Sequence, residues 1–408
     1  MSEEPLGRRR VIKVEADRRG EVLEVPREPH AYQGQQIESI RRWLVGVMVV
    51  LAAILIGLMT ALVSAVKTDV PAIVDRAGQS APMVWERSIY SIGAGAESLL
   101  LAPTSVAVSP AGAIYVTEPQ RGRVDVFNSA GAFVTALAPI DEDGTPVFGR
   151  PESVEVDEVG NVFVADPVAG EVHAFNAGLE LVRSIPVPDE PTGSAAWGRE
   201  LYVLGRGRVN VVDVASGTVV RWFGSLGDSE GEINAYHGIA VDGDGVYIAD
   251  ALNRRVIAFN HQGDWLWEAT GRRSDDRDSG TAWQLPQDLT IDASGRIVVV
   301  DALGFDLSAM LPGSDLVVAR WGENGAADGS FSYPSSVAYD AEYDRFVVAD
   351  TKNNRVQIVS LPGSAPVATS IVKTVVVGPW RYLTIPLGIA LTLIALASSF
   401  LVLRVRKR

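Results

Sequence analysis

Cysteine is absent from the 408 residues, which excludes disulfides, thiolate metal sites and a cysteine nucleophile, and leaves redox chemistry silent about the compartment. Histidine is nearly absent too: four occur, His30, His173, His237 and His261. A zinc centre built from several imidazoles therefore has little to draw on. Lysine is scarce beside arginine, with five lysines in the whole chain (Lys13, Lys67, Lys352, Lys373 and Lys407). Also missing are a GxSxG nucleophile elbow, a phosphate-binding P-loop and a CxxCH haem site.

What the chain has is apolar mass, 47% of its residues, enough for a sizeable core. Two runs stand out. Trp43–Val66 holds 24 residues without a charge and Leu383–Leu403 holds 21; each is long enough to cross about 30 Å of hydrocarbon at 1.5 Å per residue. A cleaved signal peptide has a shorter apolar region and a shorter leader than the 42 residues that precede the first run. Residues 43–66 and 382–404 are therefore expected to be transmembrane helices. Arg41 and Arg42 flank the first, and Arg404, Arg406, Lys407 and Arg408 the second; cationic flanks stay on the cytoplasmic side. Both termini are expected in the cytoplasm, with residues 1–42 a disordered tail, 405–408 a short cytoplasmic end, and everything between the helices outside the cytoplasmic membrane. That intervening stretch carries 42 Asp and Glu against 23 Lys and Arg, which argues against nucleic acid or anionic lipid as its partner.

Internal repetition dominates the exterior segment. PTSVAVS, PESVEVD, PTGSAAW, YHGIAVD, PQDLTID and PSSVAYD begin at Pro103, Pro151, Pro191, Tyr236, Pro286 and Pro334, spaced 40 to 50 residues apart. A second anchor follows in each unit: VTE ending at Glu118, VAD at Asp166, VLG at Gly205, IAD at Asp250, VVD at Asp301 and VAD at Asp350. An apolar strand comes next, such as RVDVF, EVHAF or RVQIV. Glycine marks the tight bends, Gly112, Gly160, Gly198, Gly245 and Gly295 at the first and Gly131, Gly217, Gly263 and Gly313 at the third, where a hairpin favours positive φ. Six units of short, evenly spaced strands predict an all-β, six-bladed β-propeller over residues 84–361.

The pattern PxxVAVDxxGxVYVADxxNxRVxxF, followed by loops such as WFGSLGDSEGEINAYHG and RWGENGAADGSFSYPSS, resembles the NHL repeat. The third unit departs from it most, with VLGRGRVNVV in place of the AD-and-Asn turn. The sixth unit lacks a fourth strand, and VWERSIYSIGAGAESLLLAP from Val84 has that strand's shape. The ring is expected to close through this N-terminal strand, with linkers at 67–83 and 362–381. Chain entrance and exit then share one face, expected to lie nearer the membrane, while the loops that join blades point away.

Those outward loops carry Glu97, Asp141, Glu142, Asp143, Asp189, Glu190, Asp228, Glu230, Glu232, Asp275, Asp276, Asp278, Glu323 and Asp328 against Arg150, Arg272, Arg273 and Arg277. They suit recruitment of a basic protein partner, and equally the plain solubility of an exposed domain. The repeated Glu118, Asp166, Asp250, Asp301 and Asp350 are expected to cap turns, because every blade has one. VDGDG and DEDG, at Val241 and Asp141, lack the alternate acids and distal Glu of a calcium loop. Glu155, His237 and Asp288 break the repeat on innermost strands and are candidates for a small-ligand site. No cofactor and no catalytic residue is assigned. The function expected is a membrane-anchored scaffold for protein interaction or ligand sensing within an envelope complex. Two alternatives stay open: a lactonase-like hydrolase or lyase with a metal held by Glu155 and Asp288, and a sensor signalling to the arginine-rich tail.

Overall fold

The computed structural model describes residues 43, 81–273 and 283–364. The two apolar runs lie outside these residues except for Trp43. Among the described residues no helix is long and apolar enough to cross a membrane.

Six antiparallel sheets make the ring. Each opens on an innermost strand, Val106–Val108, Ser153–Val156, Gly193–Trp197, Ile239–Val241, Pro286–Ile291 and Pro334–Asp340 in blades one to six. Each innermost strand packs beside the next, and the sixth packs beside the first. Blade two shows the pattern in full: Ser153–Val156, Val162–Asp166, Glu171–Phe175 and Leu181–Pro186 pair in sequence order. The middle strands, such as VFVAD, are buried on both faces because a blade packs against a neighbour on either side. The core is accordingly divided into six apolar wedges, one between each pair of adjacent blades.

Blade six is completed from the far end of the chain. Val84–Ile89 pairs antiparallel with Arg355–Ser360, Val84 opposite Ser360 and Ile89 opposite Val356, so the N-terminal strand closes the ring and covers an edge that would otherwise invite another chain. The wedge between blades six and one contains Ile89, Val106, Val347 and Ile358. Because Val84 lies opposite Ser360, the chain enters and leaves the propeller on the same face.

Two details depart from the repeat. Arg272–Arg273, in the link from blade four to blade five, adds a parallel fifth strand beside Leu316–Val317. Gly245 does not take the positive φ expected at its bend, unlike Gly112, Gly160, Gly198 and Gly295. What its position requires is space, since a Cβ there would lie 2.6 Å from the Phe259 carbonyl oxygen.

Candidate functional site: the central channel and the connector face

Glu155, His237 and Asp288 belong to blades two, four and five, and all three line one cavity of about 260 Å³ on the propeller axis. The wall is built by the innermost strands of all six blades, with Ser105, Ser153, Ser194, Ser336, Thr290 and Tyr339 as its other polar side chains. Among the described residues no lysine or arginine lines it.

An innermost strand is an edge, and its backbone N–H groups face the channel without a ladder partner. Here side chains from the preceding blade take that place. Ser336 Oγ accepts from the Val106 N–H at 3.1 Å, and Ser105 Oγ from the Val154 N–H at 3.3 Å. Asp288 Oδ2 accepts from Val337 N–H in blade six at 3.1 Å while Oδ1 accepts from Leu289 N–H in its own blade at 2.8 Å. Glu155 Oε1 accepts from Ala196 N–H in blade three at 3.3 Å. Where blades three and four put Gly193 and Gly238 at the serine position, backbone approaches backbone. A Cβ on Gly238 would stand 2.8 Å from Asp288 Cα, and one on Gly193 would collide with the His237 carbonyl. His237 holds φ at 67°, and its Nδ1 lies 2.9 Å from the Thr192 carbonyl oxygen. An acceptor at that distance fixes the proton on Nδ1 and leaves Nε2 as the acceptor.

Charge in this enclosure is poorly solvated. Burial pushes Glu155 up to about 8, with Asp288 and Asp157 adding repulsion against the backbone bond from Ala196. Burial also raises Asp288 to about 6, opposed by hydrogen bonds from Ser336, Val337 and Leu289. His237 is lowered, burial outweighing the nearby Glu152. At neutral pH the channel thus holds a protonated Glu155, an ionised Asp288 and a neutral His237. Glu155 and Asp288 stand on opposite blades, and among the described residues no group of three or more His, Asp or Glu is placed to hold a metal ion. The donor set does not fit a carboxylate-held metal, and no catalytic step follows from it.

The repeated acids hold connectors at all five positions and cap their own turns at two of them. Glu118, Asp250 and Asp350 make no side-chain cap to the turn that follows them. Each instead holds the incoming connector: Glu118 accepts from Leu101 N–H at 2.6 Å, Asp250 from Asn234 N–H at 2.7 Å and Asp350 from Ser332 N–H at 2.7 Å. Asp166 and Asp301 do both, accepting from Gly149 and Gln284 in their connectors and from Val168 and Gly304 in their own turns. All five are fully buried. Arg123, Arg255 and Arg355 pair with the acids of blades one, four and six at 2.6, 2.8 and 2.7 Å.

On the connector face, Glu97, Asp141, Glu142, Asp143, Glu190, Asp228, Glu230, Glu323 and Asp328 are exposed, and Asp189 and Glu232 are half-buried. Asp275, Asp276 and Asp278 lie outside the described residues, as does Arg277. Two of the arginines counted against these acids are already paired, Arg150 with Glu152 at 2.5 Å and Arg272 with Asp315 at 3.0 Å.

The serine latch at Ser105 and Ser336 was not singled out from the sequence, although PTS, PES and PSS repeat a serine at that position. Asp125 was also missed: it is buried beside Glu118, which with desolvation pushes it up to about 7.

The NHL repeat family model matches residues 331–359, within blade six. No curated protein matches the chain. Among solved structures, a protein of unknown function from Bacteroides thetaiotaomicron VPI-5482 is 14% identical over 66% of this chain and 72% of its own, with a TM-score of 0.53. A streptogramin B lyase is 9% identical over 68% of this chain and 98% of its own, with a TM-score of 0.49. A virginiamycin B lyase from Staphylococcus aureus with quinupristin is 11% identical over 64% and 80%, with a TM-score of 0.45. At such identities the likeness concerns fold alone.

Proposed function

We propose that this chain is a membrane-anchored recognition module, its propeller held outside the cytoplasmic membrane and binding a basic protein partner through the connector face. One observation carries the reading: nine acids of that face are exposed and, among the described residues, only Asp328 of the nine is ion-paired, with Arg355, while Arg150 and Arg272 are occupied by Glu152 and Asp315. The field left over is negative and suits a positively charged partner. Anchoring rests on the apolar runs 43–66 and 382–404 and their arginine flanks. Chain entrance and exit on one face support an orientation with the other face away from the bilayer. In the channel, Glu155, His237 and Asp288 all hold neighbouring blades together.

Full-length protein extracted from its native membrane in mild detergent is expected to carry a stoichiometric basic partner, released as ionic strength rises. Replacing Asp141, Glu142 and Asp143 by their amides is expected to weaken retention. Isolation of the chain alone, or undiminished retention by the neutralised variant, refutes the reading.

A further inference from the structure

The channel has a chemical bias that the latching role does not use. Five of its inner-edge N–H groups, those of Val106, Val154, Ala196, Leu289 and Val337, are already bonded to serine or carboxyl oxygens. Antiparallel edges expose a carbonyl beside each such N–H, so backbone acceptors remain open on the wall where these donors are taken. His237 adds another acceptor, Nε2, because its Nδ1 faces the Thr192 carbonyl. Ser194, on the cavity wall and 6% exposed, has an Oγ with no hydrogen-bond partner. A buried hydroxyl left in that state marks a polar group not supplied by the protein.

Charge points the same way. Glu155 and Asp288 face the cavity from opposite blades and, among the described residues, no lysine or arginine lines it. An anionic ligand would meet like charge, and a neutral one would leave Asp288 unbalanced. At about 260 Å³ the cavity suits a small molecule and not a folded partner. A bare metal ion lacks its ligand set, as shown above.

We propose that the central channel is a binding site for a small organic cation bearing a primary ammonium group, attracted by Asp288 and Glu155 on its opposite walls. The ammonium donates three hydrogen bonds and carries the charge that the wall lacks. This site is independent of the connector face, so either can fail without the other.

Groups that set the pH response are Glu155, Asp288, His237 and Tyr339 in the wall, with Asp157, Glu152 and Arg150 acting through space. Glu155 holds its proton at neutral pH and must release it to pair with the cation. Affinity is therefore expected to rise as the pH climbs toward about 8.

The test is calorimetry on full-length protein in detergent at pH 8, with ethylammonium, 1,4-diaminobutane, calcium chloride and sodium acetate as separate probes. Expected is one saturable site for an ammonium probe and no binding of acetate. Glu155→Gln and Asp288→Asn are each expected to weaken binding roughly tenfold or more, the loss of one charge-assisted hydrogen bond. If Asp288→Asn, which alters two backbone bonds, fails to fold, Glu155→Gln decides alone. Three outcomes overturn the proposal: no saturable binding of either ammonium probe, tighter binding of calcium that the same variants abolish, or ammonium binding that folded variants leave unchanged.

Discussion

Replacing Glu155 by glutamine should remove a pH dependence from the stability of the ring. The folded channel raises this carboxyl from 4.5 to about 8, chiefly by burial, so the folded state binds the proton more tightly than the unfolded chain does. A group raised in this sense stabilises the fold fully below pH 4.5, and that contribution is lost as the pH rises to about 8. Each unit of displacement is worth about 1.4 kcal/mol, giving a loss of about 3 to 5 kcal/mol across the window, with channel water drawing it toward the lower figure. Glutamine is neutral throughout and keeps the oxygen that accepts from Ala196 N–H.

Denaturant unfolding of the full-length protein, followed by tryptophan fluorescence between pH 5 and 9, checks the sign and size. Wild type and Glu155→Gln should agree within about 1 kcal/mol at pH 5 and separate by about 3 kcal/mol at pH 9, the variant being the more stable. Titrating groups that carry no charge coupling to Glu155, Asp125 among them, move both proteins alike and cancel in the difference. Parallel curves over the whole range would refute an enclosed, proton-holding Glu155.

Asp350→Ala should cost about 3 to 5 kcal/mol, because it strands the buried Arg355 guanidinium and frees the Ser332 N–H together; thermal melting reads this directly. Gly238→Ala should destabilise by more than about 3 kcal/mol, since its Cβ meets Ala249 Cβ at 2.6 Å and Asp288 Cα at 2.8 Å. Gly295→Ala, at φ 78° with nothing within 4 Å, should cost only about 1 to 2 kcal/mol; equal losses at the two glycines would contradict the packing account. Deleting Val84–Ile89 exposes the backbone edge of Arg355–Ser360, and size-exclusion chromatography should show association where the intact chain elutes as a discrete species.

Repetition explains why the architecture was legible and the site less so. The Pro-x-Ser openings recur in three units and the buried acids and first-bend glycines in five, and agreement among so many copies outweighs the ambiguity of any single strand. Even the missing strand of blade six could be found, because Val84–Ile89 has the form of a fourth strand without a unit of its own. Chemistry is harder to read, since a repeated residue informs on the repeat and an exceptional one only says that something differs. Glu155 and Asp288 stood out as exceptions, yet spacing along the chain does not reveal that each oxygen reaches the next blade. Contacts of that kind join residues about 40 to 50 positions apart, beyond any local pattern.

The repeated acids carry the same lesson in reverse. An Asp before a turn reads locally as a cap, and at Asp166 and Asp301 the local bonds do form. At Asp250 and Asp350 the following 3₁₀ turn closes through its own backbone, so the carboxylate is free for the connector and the arginine. A buried carboxylate that ties the incoming connector to its blade does more for a ring than one that caps a turn. In the five blades that have it, it fixes where the blade begins relative to the last, and hence the alignment of that inner edge along the channel. Buried tethers and exposed connectors occur together in this one arrangement, and that division is what the proposed recognition role would use.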